Sequence, residues 1–264
     1  MRLSIHHRTA YRFSAPQARL VQMLRLTPQN SHDQTVARWR IDIDRDARMS
    51  EGRDGWGNVT TMLYVEGPVE EIAIEVSGEV LTSHSDGVIR GVAEMLPPGL
   101  YLRSTPATAP DPAILAWAAD LRQTDPLTTL HGLNGAIHQR FEVDHGRPVA
   151  GRSAGEAWSR AKATPRDLAQ IFAVAARHLG QPARYVSGYC RHADQEHPTP
   201  HGWAEAWVED LGWVGFDPCT GLSPQEDHVR VAVALDAAGA APVAGSRLGE
   251  GAEQLDVEVR VEEA

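Results

Sequence analysis

The sequence predicts an α+β protein: an N-terminal antiparallel β-sandwich followed by a core of helices packed on an antiparallel sheet. Three observations predict it. Up to about residue 85 the chain runs in short alternating segments separated by turn signals. Residues 111–180 carry helical periodicity with marked helix ends. Three strand-like segments then follow between Ala183 and Asp217, the last two joined by a tight turn. The expected organisation is a sandwich over 1–85, a linker over 86–110, and a core with C-terminal strands over 111–264.

In the first unit, Leu3, Ile5 and His7 alternate with polar residues, and Tyr11 and Phe13 continue the pattern. His6 and His7 should therefore place one ring on each face of a strand. Val21–Leu26 and Val36–Asp44 are further strand candidates, the second alternating as a half-buried strand does. The turn cluster Asp54-Gly55-Trp56-Gly57-Asn58 leads into Val59–Val65, and Ile72–Val76 and Gly78–Leu81 follow. Residues 96–110, rich in Pro and Thr, read as a connection.

Asp111-Pro112 opens the first helix, with an N-cap acid and a first-turn proline. A second helix runs from about Leu127 to Arg140. The third starts at Thr164-Pro165-Arg166-Asp167, a capping pattern with proline at the first helical position. Its stripe is Leu168, Ile171, Phe172, Ala175 and Leu179, and Gly180 ends it. Strands are expected over Ala183–Cys190, His201–Glu209 and Gly212–Asp217. The tail holds an apolar run, Val229–Leu235, an Ala/Gly-rich stretch and a last alternating strand, Leu255–Val261.

Composition excludes several function classes. Of 264 residues, 42% are hydrophobic and 23% charged, enough for a sizeable core. The net charge of -10 and the scattered arginines argue against a nucleic-acid partner. No run of ~18 apolar residues exists, so no membrane span is expected. The N-terminal residues lack the apolar run of a signal peptide, so the expected location is the cytoplasm. Two cysteines, Cys190 and Cys219, make neither a disulfide framework nor a four-cysteine zinc site. No cofactor is expected.

A helix that precedes an antiparallel sheet aims free N–H groups and a positive dipole at the sheet. A cysteine at that helix start is activated as a thiolate. A histidine on a neighbouring strand takes its proton, and an acid on the next strand orients the histidine. The histidine and the acid are here. With a three-residue turn at 209–211, Val208 faces Gly212, Trp203 faces Asp217 and His201 faces Cys219. His201 and Asp217 then share a face as diagonal neighbours. Read alone, His201 would be a strand-edge histidine and Asp217 a turn residue before Pro218.

Three stretches change that. Arg184-Tyr185-Val186-Ser187-Gly188-Tyr189, His201-Gly202-Trp203-Ala204-Glu205 and Gly212-Trp213-Val214-Gly215-Phe216-Asp217-Pro218 resemble the core of bacterial transglutaminase-like proteins. The first unit, with Asp54-Gly55-Trp56-Gly57-Asn58, resembles the β-rich domain that precedes that core. The resemblance implies a papain-like core with a Cys-His-Asp triad for amide hydrolysis or acyl transfer. It places the histidine at His201 and the aspartate at Asp217. The family cysteine lies two residues before the aspartate matched by Asp167, so its position here is Pro165. Gln170 replaces a common histidine, and Leu235-Asp236-Ala237 a common Arg-Asp-Tyr.

Proline has no nucleophile and no backbone N–H. The resemblance implies that this N–H helps bind the oxyanion, and losing one such donor costs ~10²–10³ in rate. The expected function is a pseudoenzyme that binds a peptide or a protein partner, or scaffolds an active relative. One alternative is an active hydrolase or acyltransferase using Cys219 or Cys190 with His201 and Asp217. Neither thiol sits at a helix start, and small buried thiols are the plainer reading. A third possibility is a structural interaction module built on the sandwich. His192, Asp194, Glu196, His197 and His201 could ligate zinc or nickel, but their spacing matches no closed site, so a solvated loop is expected. Trp203 and Trp207 share the His201 face and, with Thr164, are candidates to line a groove, or else core.

Overall fold

The computed structural model describes residues 1–191 and 199–264. Its elements in chain order are β1 (Arg2–Leu24), β2 (Gln34–Ile43), β3 (Arg48–Arg53), β4 (Val59–Thr82), α1 (Pro112–Asp120), α2 (Pro126–Arg140), β5 (Glu142–Val143), α3 (Ala154–Trp158), β6 (Lys162–Ala163), α4 (Pro165–His178), β7 (Ala183–Cys190), β8 (His201–Val208), β9 (Gly212–Phe216), β10 (His228–Ala234), β11 (Val243–Leu248) and β12 (Glu253–Glu263). Among the described residues no helix is long and apolar enough to cross a membrane.

The first unit is one six-stranded antiparallel sheet bent on itself. β1 and β4 are long enough to serve two ladders each. Leu3–Phe13 of β1 pairs with β12, and Arg19–Leu24 pairs with β11, while β4 runs beside both parts. Register breaks at Arg12/Gln17 and Gln17/Arg19 mark the bend, which contains Pro16. Tyr11, Phe13, Leu20, Leu24, Leu63, Val65, Ile72 and Ile74, drawn from both halves, share one core. Residues from both sides of the register breaks thus meet in one core.

Two boundaries differ from the sequence expectation. β11 and β12 do not extend the core; they return to flank β1 in the first sheet. Their alternation matches a half-buried strand anywhere, so it names no partner. Residues 86–110 are not a free linker but a packed strap. Ile89 donates its N–H to Trp213 at 2.9 Å, and Tyr101 is buried against the Trp213 ring at 5.0 Å.

The second sheet is antiparallel, in the order β10-β7-β8-β9. β8 and β9 keep the expected register, with Val208 opposite Gly212. Asp210 at φ 68 and Gly212 at φ 89 take the left-handed turn conformations, which glycine adopts without strain. α4 packs against β8, and the stretch Asp167–Arg177 is buried throughout. Its alanines 169, 173, 175 and 176 and Ala204 and Ala206 of β8 are fully buried, small side chains that permit close approach.

The first unit is docked on the second by side chains that complete backbone hydrogen bonding. β10 is an edge strand with a register shift between Arg230 and Ala232. The Gln34 amide donates to the Arg230 carbonyl at 3.0 Å and accepts from its N–H at 2.8 Å. The Asn58 amide does the same at Val233, with both bonds 2.8 Å. Two amide side chains thus act as surrogate strand partners and seal the edge. Asp54 accepts from the Trp56 and Asn58 N–H groups at 2.9 and 3.1 Å, shaping the turn that presents Asn58.

Arg184 and Glu205 face each other across β7 and β8. Arg184 Nε donates to Glu205 at 2.6 Å, and its two Nη atoms hold Glu94 of the strap at 2.7 and 2.9 Å. Arg230 Nε donates to the other Glu205 oxygen at 2.6 Å. Burial raises the Glu205 carboxyl, but Arg230 and Arg184 override it and hold it at about 2. Removing one member of so buried a pair strands the others. Glu205→Ala should therefore lose about 3–5 kcal/mol in urea unfolding.

His7 also bridges the units. Its Nδ1 lies 3.0 Å from the Tyr189 hydroxyl and its Nε2 3.0 Å from Thr9 Oγ1. Burial lowers its pKa from 6.5 to about 4. Folded His7 stays neutral while an unfolded histidine takes up a proton below 6.5. The stability it supports is complete above that pH and falls as pH drops toward 4, by on the order of 3 kcal/mol. Unfolding free energies of the wild type and His7→Gln from pH 7 to 4 should differ by a shrinking amount.

Candidate active site

Asp217 follows β9 and is fully buried. His201 opens β8 and donates from Nε2 to Asp217 Oδ2 at 2.9 Å. The turn register predicted this pair. The same oxygen accepts from His228 Nε2 at 3.1 Å, and Asp217 Oδ1 accepts from the Cys219 N–H at 2.9 Å. His228 Nδ1 sits 2.6 Å from Asp227. Burial alone would raise the Asp217 carboxyl, but His201 and His228 override it and hold it well below the usual carboxylate range. Burial disfavours a charged His228 ring, yet hydrogen bonds to Asp217 and Asp227 raise its pKa well above normal.

His228 and Asp227 join the candidate site without being singled out by the sequence. His228 heads the apolar run recognised as a strand, which was the available signal. Its neighbour was not legible, because β10 crosses over to pair with β7 rather than β9. That crossover sets His228 opposite Cys190.

Both cysteines flank the pair. One ligand atom each from Cys190, His201 and His228 lie within 4.8 Å of one another, as do those of His201, Asp217 and Cys219. Neither thiol is poised as a thiolate. Burial pushes Cys190 up, against a lowering contact from His228. Burial and Asp217 push Cys219 well up.

Pro165 occupies the first turn of α4. Thr164 is the N-cap: its hydroxyl and N–H contact Asp167 Oδ2 at 2.8 and 3.3 Å, and Arg152 adds a bond to that oxygen at 3.0 Å. Pro165, Cys190 and His201 line one small cavity of about 20 Å³, with His145 and with Val259 of β12. It has room for about one water. The helix start and the histidine thus border the same cavity.

The candidate groove residues Thr164, Trp203 and Trp207 do not line this cavity. Thr164 is a buried cap. Trp203 is core, buried with Val186, Val233 and Trp56 and stacked on His201 at 6.0 Å. Trp207, partly exposed at the far end of β8, packs edge-on against Trp213 at 5.7 Å. His192, Asp194, Glu196 and His197 lie outside the described residues.

Residues 3–81 match the model of the bacterial transglutaminase-like N-terminal region, and residues 115–218 match that of the transglutaminase-like superfamily core. The chain belongs to the bacterial transglutaminase-like family. The core match spans Pro165, His201 and Asp217 and ends before His228. An uncharacterized protein of Mycobacterium leprae is 26% identical, with 98% of each chain aligned. An uncharacterized protein of Mycobacterium tuberculosis is 25% identical over 92% of this chain and 87% of its own. A crystal structure of a candidate cysteine protease from Cytophaga hutchinsonii superposes with a TM-score of 0.78 at 17% identity, covering 99% of this chain and 90% of that one. That likeness extends the shared fold over both units.

Gly188, from the first family stretch, lies opposite His201. A Cβ there would sit 2.5 Å from the Trp203 ring and 2.2 Å from the Val229 carbonyl. Only glycine lets Trp203 close behind the histidine. Gly188→Ala should destabilise the fold by about 1–3 kcal/mol and shift the tryptophan emission, measured by equilibrium unfolding with fluorescence.

Proposed function

We propose that this family member has lost amide hydrolysis and acyl transfer and uses its site to bind a peptide or protein segment. Pro165 carries this conclusion. It stands at the helix start that borders the same cavity as His201, where the family's cysteine belongs, and it supplies neither a thiol nor an N–H for an oxyanion. The acid–base pair is otherwise assembled, so the missing part is the nucleophile. The substitution favours the fold, because proline suits a first helical turn and Thr164 and Asp167 complete a capping box.

A relocated thiol is the competing reading, and the nearness of Cys190 and Cys219 to His201 favours it. Burial works against it, since both thiols are pushed away from the reactive form. A segment bound rather than cleaved would reach the cavity between Pro165, Thr199 and His201.

Restoring the nucleophile tests the conclusion. Pro165→Cys should create a thiol alkylated by iodoacetamide at least tenfold faster than Cys190 or Cys219, with the excess removed by adding His201→Ala. Wild-type protein should show no amidase activity on a peptide substrate panel. Wild-type amidase activity lost in Cys190→Ser or Cys219→Ser would overturn the conclusion in favour of a relocated thiol.

A further inference from the structure

We infer that Cys190, His201 and His228 form a binding site for a zinc-class divalent cation. The three residues come from β7, β8 and β10 and are all buried. One ligand atom from each lies within 4.8 Å of the others. The ligand atoms of a tetrahedral zinc ion stand about 3.5 Å apart, given Zn–N of ~2.0 Å and Zn–S of ~2.3 Å. Closing onto an ion therefore takes side-chain adjustment and no change of strand register.

The donor chemistry fits a borderline-soft ion: one thiolate and two imidazoles. The surrounding carboxylates fit as well. Asp217 bonds both rings, and Asp227 holds the second nitrogen of His228. Carboxylates hydrogen-bonded to ligand imidazoles are the usual outer support of zinc sites. On binding, the Cys190 thiol releases its proton to solvent as the metal–sulfur bond forms. His228 exchanges one of its two carboxylate contacts for the metal and releases that ring proton, while the other carboxylate keeps it oriented. The Cys190 thiolate and the neighbouring carboxylates place negative charge around the +2 ion.

Cys190 and His201 also line the cavity beside Pro165, where about one water fits. Three protein ligands with a fourth position open to a cavity is an arrangement zinc accepts. The site accounts for the retention of His201 and Asp217 in a chain without the family nucleophile. Of the candidate ligands that the sequence offers, only His201 belongs to it.

The test strips the full-length protein with chelator and titrates it with Zn²⁺ against a chromophoric competitor, then with Co²⁺ by absorbance. The expected result is one Zn²⁺ per chain and a thiolate-to-cobalt charge-transfer band. Cys190→Ser and His228→Ala should each weaken binding by about a hundredfold or more, and Cys219→Ser should leave it within a few-fold. Circular dichroism checks that the variants fold. If a variant does not fold, the cobalt spectrum of the wild type decides, because a spectrum without the thiolate band rules the site out. Sub-stoichiometric zinc, unchanged binding in Cys190→Ser, or loss only in Cys219→Ser would also overturn it. No readout depends on peptide binding or amide hydrolysis, so the two proposals fail separately.

Discussion

One buried carboxylate ties the site together. Asp217 takes hydrogen bonds from a histidine on β8, a histidine on β10 and the backbone just beyond itself. β8 and β10 are not neighbours; β7 lies between them, ending at Cys190. Asp217 therefore bridges the end of β7 and fixes which side chains gather there. Burial would neutralise this carboxylate, and the two imidazoles keep it ionised. A second buried carboxylate, Glu205, ties the strands together through Arg184 and Arg230. β10 depends in turn on the first unit, whose Gln34 and Asn58 complete its edge. The β-rich unit and the core thus form one mechanical system, and β12 even lends Val259 to the cavity.

On the proposed reading, Pro165 lets a site lose chemistry without losing structure. The helix start asks for an N-cap, a residue with helical φ and no need of an N–H, and an acid near the dipole. Thr164, Pro165 and Asp167 meet all three requirements. A nucleophilic cysteine with an oxyanion-binding N–H meets only the chemical one. Once catalysis is not required, local stability decides the residue. His201, Asp217 and the motif residues Arg184, Gly188 and Glu205 still perform packing and charge-pairing work. Their persistence does not by itself imply turnover.

Much of this was legible in the sequence because its physics is local. The caps at Asp111 and Thr164 announce α1 and α4, and apolar residues at helical spacing announce α2. The turn at 209–211 fixed the β8–β9 register and so the His201–Asp217 pair. What stayed hidden was non-local. Nothing near His228 says that β10 will pair with β7, nothing in the alternation of β12 says that it will return to β1, and nothing near Arg184 specifies Glu94 on the strap. Alternation puts Trp203 and Trp207 on the His201 face but does not report what covers that face. The five-residue α3, with its own capping box at Ser153, was too short for helical periodicity to register.

The central claim is that the histidine and aspartate stand ready while no thiol of this chain acts with them. The most direct measurement is the intact mass of native wild-type protein after incubation with a peptide vinyl sulfone, an electrophile that captures catalytic thiolates. The account predicts an unmodified mass under native conditions and modification of Cys190 and Cys219 only after denaturation. A single, rapid adduct on the folded protein, mapped to either cysteine and abolished by His201→Ala, would contradict it.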